Sequence, residues 1–338
     1  MSGAGLVAHR AALAGADAAI ERRARVLPPE APRRIRLGMP HLDAGGLSEN
    51  WLFRDAGDRH WQAIARGLGV PTDQILSEGG ERLYPTVVAV RARYDRPLAE
   101  VRENDVFEAA AEVVPCGRAC AHGRVVAAIS GHRGRLVLEV LTTFAARAEG
   151  GSLRMATPES RLARRWIPVG GEPVIATLAR AARRGEPIDD PFAGPMMAAS
   201  GPPLATLDYE PSPYADYNGA GLLYFAAYVT IADSAERRMV RHLGLDRYRR
   251  ADLVGLRNPP RPPSSDGSRD WALITSAVRR DVFYYDNLPL GATLTASLVA
   301  FEEDRAGVTT RVRLSRRDGG GRPMADIVTR RAFVRGAR

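Results

Sequence analysis

Thirteen consecutive uncharged residues, Ala220 to Ala232, are the stretch that most constrains this chain. They sit within DYNGAGLLYFAAYVTIADSAERRM, behind a polar Asp216-Tyr217-Asn218-Gly219 lead-in and ahead of the charges Asp233, Glu236, Arg237 and Arg238. The pattern predicts a helix that is apolar on nearly every side. It is shorter than the roughly 20 apolar residues that span a bilayer, so protein must wrap it, and a curved sheet is the natural wrapper. Asn218 reads as its N-cap. Gly219 and Gly221 leave the first turn open, where unpaired N–H groups can hold an anion or a developing oxyanion.

The order of elements around this helix occurs twice. In the first part Ile35–Met39 alternates as a short strand. Gly46–Leu68 follows as a second central helix, with Ser48 as cap and an apolar face of Leu47, Trp51, Leu52, Trp61, Ile64, Ala65 and Leu68. From Tyr84 the period becomes two, through Val88, Val90, Ala92 and Tyr94, then Phe107–Val114, Val125–Ile129 and Leu136–Ala145, the last two joined by a Gly131-His132-Arg133-Gly134 turn. In the second part Leu204–Tyr209 is a strand and Asn218–Leu243 the apolar helix. Asn258–Asp270 is a loop, and strands cover Ala272–Val278, Thr293–Phe301, Val308–Ser315 and Met324–Val334, with Asp318-Gly319-Gly320-Gly321 as the last turn. Between the parts, Pro158–Arg184 is helical over part of its length and Pro187–Pro203 carries five prolines.

A strand, a central helix and an antiparallel run, repeated, predict an α+β chain of two hot-dog folds, each sheet curling around one helix. The expected divisions are an extension at 1–34, a first hot dog at 35–156, a connector at 157–203 and a second hot dog at 204–338. Two unrelated α+β domains are the alternative.

Charge narrows the chemistry. All 48 basic residues are arginine, which excludes a Walker A lysine, a Schiff-base lysine and lysine-bound pyridoxal phosphate. The net charge of +9 is spread along the chain, with no aromatic-interleaved basic block, so nucleic acid is not the expected partner. Arginine pairs bidentately with phosphate, which keeps anionic ligands such as coenzyme A open. Cys116 and Cys120 have no second pair and no zinc spacing with the histidines, and read as reduced thiols at a strand, with no metal site. The Ala-rich helical stretch Leu6–Arg25 is interrupted by Arg10, Asp17, Glu21, Arg22 and Arg23, which fits no signal peptide, and a cytoplasmic protein without a membrane span is expected.

Thioester chemistry needs donors on a carbonyl oxygen, a slot for a pantetheine arm and one or two reactive side chains. The N–H groups of Gly219 and Ala220 beside Asn218 are candidate donors, against a purely packing role for this glycine-rich start. His41, ahead of the first central helix, and Glu49 within it read as an acid/base pair; the alternative is a loop histidine bonded to backbone. Tyr84 stands at the mouth of a strand, where a phenol can act only if a cation such as Arg82 or a donor stabilises it; simple packing is the other reading.

Together, Gly38-Met39-Pro40-His41-Leu42, Gly46-Leu47-Ser48-Glu49-Asn50-Trp51-Leu52, Gly57-Asp58-Arg59-His60-Trp61, Tyr84 and Asn218-Gly219-Ala220-Gly221-Leu222-Leu223-Tyr224-Phe225 resemble the leinamycin-pathway bifunctional acyltransferase/decarboxylase family. The similarity runs from about Ile35 to Val334. It implies a double hot dog that decarboxylates methylmalonyl coenzyme A and delivers propionyl to a phosphopantetheinylated acyl carrier protein in polyketide biosynthesis, as a homodimer and without a metal or organic cofactor. It also implies that Tyr84 is the essential residue, with Tyr94 as the competing match. His41, Ser48, Glu49, Asn218 and Gly219 are the expected substrate-binding residues. A hot-dog dehydratase using His41 and Glu49, a thioesterase, or a non-catalytic acyl-binding module are the alternatives.

Overall fold

The computed structural model describes residues 32–132, 134–148, 152–168, 171–186, 189–190, 194–195, 201–245, 275–318 and 322–333. The predicted Leu6–Arg25 helix, the Asn258–Asp270 loop and most of Pro187–Pro203 lie outside them.

The alternating segments form strands β1 (Arg33–Arg36), β2 (Leu83–Tyr94), β3 (Val106–Gly117), β4 (Cys120–Ile129), β5 (Arg135–Arg147), β6 (Ala205–Tyr209), β7 (Thr275–Tyr284), β8 (Leu294–Asp304), β9 (Gly307–Arg316) and β10 (Pro323–Phe333). They join in one antiparallel sheet of order β1-β3-β4-β5-β2-β7-β10-β9-β8-β6, with a short strand, Leu153–Met155, added to β5. The first strand is shorter than expected, because Met39–His41 already turns as a 3-10 helix. The two predicted sheets are thus fused edge to edge. Each wing alone would leave one long strand, β2 or β7, with unpaired N–H and C=O groups, and the two edges satisfy each other.

From the centre outward both wings read alike, β2-β5-β4-β3-β1 and β7-β10-β9-β8-β6. At the seam Arg91 lies opposite Asp281, flanked by Val90–Val282 and Ala92–Arg280. A pseudo-twofold axis through the Arg91–Asp281 pair therefore matches Tyr94 with Tyr284 and Val90 with Arg280. A bulge precedes the seam in both strands, at Val87/Ala89 and at Ala277/Arg279.

Helices α1 (Glu49–Leu68) and α3 (Phe225–His242) lie side by side on one face of the sheet. They run antiparallel: the Asn50 side-chain amide donates to Thr230 Oγ1 at 2.8 Å, and seven residues on, Gly57 meets Phe225. Leu52 and Phe53 of α1, Ala226, Val229 and Ile231 of α3, and Val90 and Val282 of the seam share one buried core. On the opposite face α2 (Val174–Arg184) packs Ile175, Leu178, Ala179 and Ala182 onto Ala89, Leu141, Phe283 and Val328. The Pro158–Arg184 segment, expected to be helical over part of its length, forms two pieces, Ser160–Ala163 and α2, with Pro168 and Pro173 between them. Among the described residues no helix is long and apolar enough to cross a membrane.

The apolar helix begins later than the sequence suggests. Its N-cap is Tyr224, and Asn218 sits in a preceding loop, where its Oδ1 accepts the N–H groups of Ala220 at 3.0 Å and Leu222 at 3.1 Å. Gly221 turns the chain at φ +68°, and Asn287 Oδ1 accepts the Leu223 N–H at 3.2 Å. With these donors satisfied locally, the segment has no need of helical hydrogen bonds.

A Cβ on Gly57 would lie 2.6 Å from Cε1 of Phe225, so this glycine sets how closely α1 and α3 approach. Gly57→Ala, a change worth about 1 kcal/mol of extra stability in an ordinary helix, is expected to destabilise this protein by about 1–3 kcal/mol through overpacking. Equilibrium urea unfolding measures the sign.

Candidate functional site

Where the start of α1 meets the second wing, charged side chains converge in the interior. Arg280 on β7 is fully buried; its Nε donates to Glu49 Oε1 at 2.9 Å, its Nη2 to Glu49 Oε2, and Nη1 to Thr329 Oγ1 at 3.0 Å. Asp233 of α3 pairs with Arg280 at 3.0 Å and with Arg331, whose Nε lies 3.0 Å from Glu236 Oε1. Thr310 donates to the other Glu236 oxygen at 3.0 Å, and the Tyr94 hydroxyl donates to Glu49 at 2.9 Å. Burial works against the Arg280 charge, but the Asp233 and Glu49 carboxylates outweigh it and hold its pKa above the ordinary guanidinium value. Burial, reinforced by Glu49, pushes the Tyr94 phenol well above its ordinary range, so it stays a donor.

The pseudo-twofold counterparts of these groups carry different chemistry. Glu49 corresponds to Phe225, Asp233 to Gly57, Arg280 to Val90, Glu236 to His60, Arg331 to Thr142 and Thr310 to Gly123. The contacts agree with this matching: His60 Nε2 lies 2.9 Å from Thr142 Oγ1 and its ring fills the space a Gly123 side chain would need, as Glu236 meets Arg331 and Thr310. Tyr94 donates to the Glu49 side chain, while Tyr284 donates to the Phe225 carbonyl at 2.9 Å. One inter-wing site is ionic and the other is aromatic, with Phe53 and Phe225 stacked 6.2 Å apart.

The residues singled out in the sequence are distributed between the two ends of this arrangement. Glu49 is buried in the ionic site, and His41 is not its partner: His41 Nδ1 accepts the Gly38 N–H at 2.9 Å, and its ring stands edge-on to Trp51 at 4.9 Å. Ser48 is the N-cap of α1 and donates its backbone N–H to the His41 carbonyl at 3.0 Å. Its side chain also bonds Asp43, whose carboxyl is nevertheless raised above its ordinary value, mainly by burial and further by Glu49 and Asp233. Asn218 holds its own loop, and Gly219 is exposed with open space where a side chain would stand. The Ala220 N–H, one of the expected donors, is taken by Asn218.

Tyr84 lies apart from Glu49, at the far end of β2 from Tyr94. Strand alternation turns Leu83 toward α1, where it packs with Ile64 and Leu68, and turns Tyr84 to the other face, opposite Ala145 on β5. The Arg82 guanidinium lies 5.1 Å from the ring centre, over its face. β5 continues from Ala145 to Arg147, whose guanidinium lies 3.3 Å from where a side chain on Gly221 would begin, so the Asn218–Gly221 loop and the Tyr84 end of β2 share one end of the molecule. Reading the sequence missed Arg280, Asp233 and Arg331 altogether. The signal available was two charged residues, Asp233 and Glu236, directly behind an uncharged helix core.

No family model and no curated protein sequence matches the chain. Solved structures do match over nearly its whole length. A protein described as an oleoyl thioesterase from Lactobacillus plantarum aligns with TM-score 0.59 and 13% identity, covering 93% of this chain and 98% of that one. The chain is a double hot dog. The 12:0-ACP thioesterase from Umbellularia californica aligns with TM-score 0.56 and 9% identity over 90% of this double hot dog and 97% of its own length. An acyl-ACP thioesterase from Bacteroides thetaiotaomicron gives TM-score 0.51 and 11% identity over 89% and 97%.

Two outcomes test the electrostatics. Glu49→Ala leaves the buried Arg280 short of a carboxylate and is expected to destabilise the fold by about 3–5 kcal/mol in urea unfolding, with part regained in the Glu49→Leu, Arg280→Met pair. Burial, with a smaller push from His122, lowers the His60 pKa from 6.5 to about 3. The unfolded chain then binds the extra proton between these values, so this contribution is complete above pH 6.5 and is lost as pH falls toward 3, by about 1.4 kcal/mol per unit. His60→Gln is expected to flatten that part of the stability profile between pH 6.5 and 4.5, read by urea midpoints.

Proposed function

We propose that this protein is an enzyme of acyl thioesters, acting on acyl groups carried by coenzyme A or by an acyl carrier protein. The observation that carries the reading is the pairing of two hot dogs in one chain, over nine-tenths of which it is similar to proteins described as thioesterases. The lysine-free, arginine-rich surface suits the phosphates of coenzyme A and the acidic surface of a carrier.

Within this class the sequence resemblance supports the more specific reaction: decarboxylation of a methylmalonyl thioester and transfer of propionyl to a phosphopantetheinyl carrier, by a homodimer. Loss of carbon dioxide from the malonyl carbon leaves an enolate, which takes a proton to give propionyl; the carrier thiol then displaces coenzyme A at the carbonyl. Such chemistry needs donors toward the enolate oxygen and a dry site. Tyr84 is the proposed donor. A specific observation favours transfer over hydrolysis: the Glu49 carboxylate accepts from Arg280 and Tyr94 rather than from His41, so the expected acid/base pair for activating water does not form. The similarity to thioesterases favours hydrolysis, the second reading.

Incubation with methylmalonyl coenzyme A and a phosphopantetheinylated carrier separates the two. Carbon dioxide release with a propionyl mass gain on the carrier is the expected result. Free acid without carrier loading establishes a thioesterase, and binding without turnover a non-catalytic module. Tyr84→Phe is expected to lower turnover by at least about 100-fold with unchanged unfolding; wild-type turnover in this variant removes Tyr84 from the mechanism.

A further inference from the structure

Next to Tyr84 are two buried hydroxyls that no described residue engages. Thr86, two residues along β2, faces the same side of the sheet as Tyr84 and lies directly opposite Thr143 on β5, as Tyr84 lies opposite Ala145. Both threonine Oγ1 atoms are buried, and neither has a hydrogen-bond partner among the described residues. A buried hydroxyl left unpaired costs about 1–3 kcal/mol, so a cross-strand pair of them is not a neutral feature of a sheet.

The second wing shows what the same position does when it serves only the fold. Thr86 corresponds to Ser276 and Thr143 to Ala332, which are likewise opposite each other. Ser276 Oγ accepts the backbone N–H of Ala99 at 3.3 Å, and Ala332 has no hydroxyl to satisfy. The structural version of this pair therefore has one hydroxyl with a partner, whereas the Tyr84 version has two without. On the same face Ala145 stands opposite Tyr84, and Arg82 brings a positive charge over the phenol ring.

We infer that Thr86 and Thr143 are positioning residues for the ligand of Tyr84, their hydroxyls reserved for the oxygen atoms of a bound acyl thioester. This rests on the acyl-thioester reading above. The phenol and the two threonine hydroxyls follow one another along one face of adjacent strands, which suits a ligand with more than one oxygen, such as the carbonyl and carboxylate of a malonyl-type thioester. A hydroxyl donates one hydrogen bond, and a bond to a charged oxygen is the stronger kind.

The test exchanges each threonine for its isostere, in Thr86→Val and Thr143→Val, with Thr→Ser as the conservative control at each site. Turnover of methylmalonyl coenzyme A and binding of its amide-linked, non-reactive analogue are measured beside urea unfolding. The expected result is a fall of about 10- to 100-fold in kcat/KM for each valine variant, weaker binding of the analogue, activity kept by the serine variants, and an unfolding midpoint equal to or above wild type. A lowered midpoint with unchanged kcat/KM and unchanged analogue binding overturns the proposal, because it shows the hydroxyls serve the fold. Wild-type kinetics in both valine variants also overturns it while leaving the thioester reading intact. Absence of both turnover and analogue binding in the wild type overturns the thioester reading and this proposal together.

Discussion

The fold turns on a guanidinium that never meets water. Arg280 is placed on the second wing's seam strand, and its compensating carboxylate, Glu49, opens the central helix of the first wing. A buried charge without its partner is among the most destabilising features a protein can contain, whereas the intact pair is close to neutral. The ion pair therefore acts less as a source of stability than as a condition: the α1 start, the seam strand and α3, through Asp233, must all be in place together. The continuous sheet and the shared core impose the same condition by hydrogen bonding and burial, so the two wings are one folding unit.

The pseudo-twofold arrangement explains why fusion matters. In a symmetric pair of identical chains, an arginine at the Arg280 position would appear twice, and so would every carboxylate around it. Fusing two hot dogs allows one chain to place Arg280 against Glu49 at one end and Val90, Phe225 and Gly57 at the other. The ionic end is closed upon itself, with each carboxylate bonded to arginine, tyrosine or threonine. The proposed acyl site lies at the opposite end, where Tyr84, Thr86 and Thr143 lie on one face and the Asn218–Gly221 loop approaches Arg147.

Much of the architecture was legible in the sequence because its signals are local. Period-two alternation marked most of the strands, though the expected Ala272–Val278 stopped short of the seam half of β7, Arg279–Tyr284; the uncharged run marked α3, and the repeated order of elements marked a doubled fold. The start of α3 was misplaced because Asn218 has the same side-chain capacity in a loop as at a helix cap, and only the positions of Ala220, Leu222 and Asn287 decide between the two. The Glu49–His41 pairing read from sequence proximity does not form, since Glu49 is drawn to an arginine 231 positions away.

The sequence by itself determined where most strands lie, though not the seam half of β7 at Arg279–Tyr284, that an uncharged helix must be wrapped, that lysine chemistry is excluded and that the fold occurs twice. These follow from residue type and short spacing, which propensity and burial read directly. Only the tertiary structure decided that the two sheets fuse along β2 and β7, that Arg280, Asp233 and Arg331 close one inter-wing site, and that the Thr86 and Thr143 hydroxyls stand beside Tyr84 with no partner among the described residues. Those facts depend on which strands meet and in what register, and a one-residue slip would send each of these side chains to the opposite face.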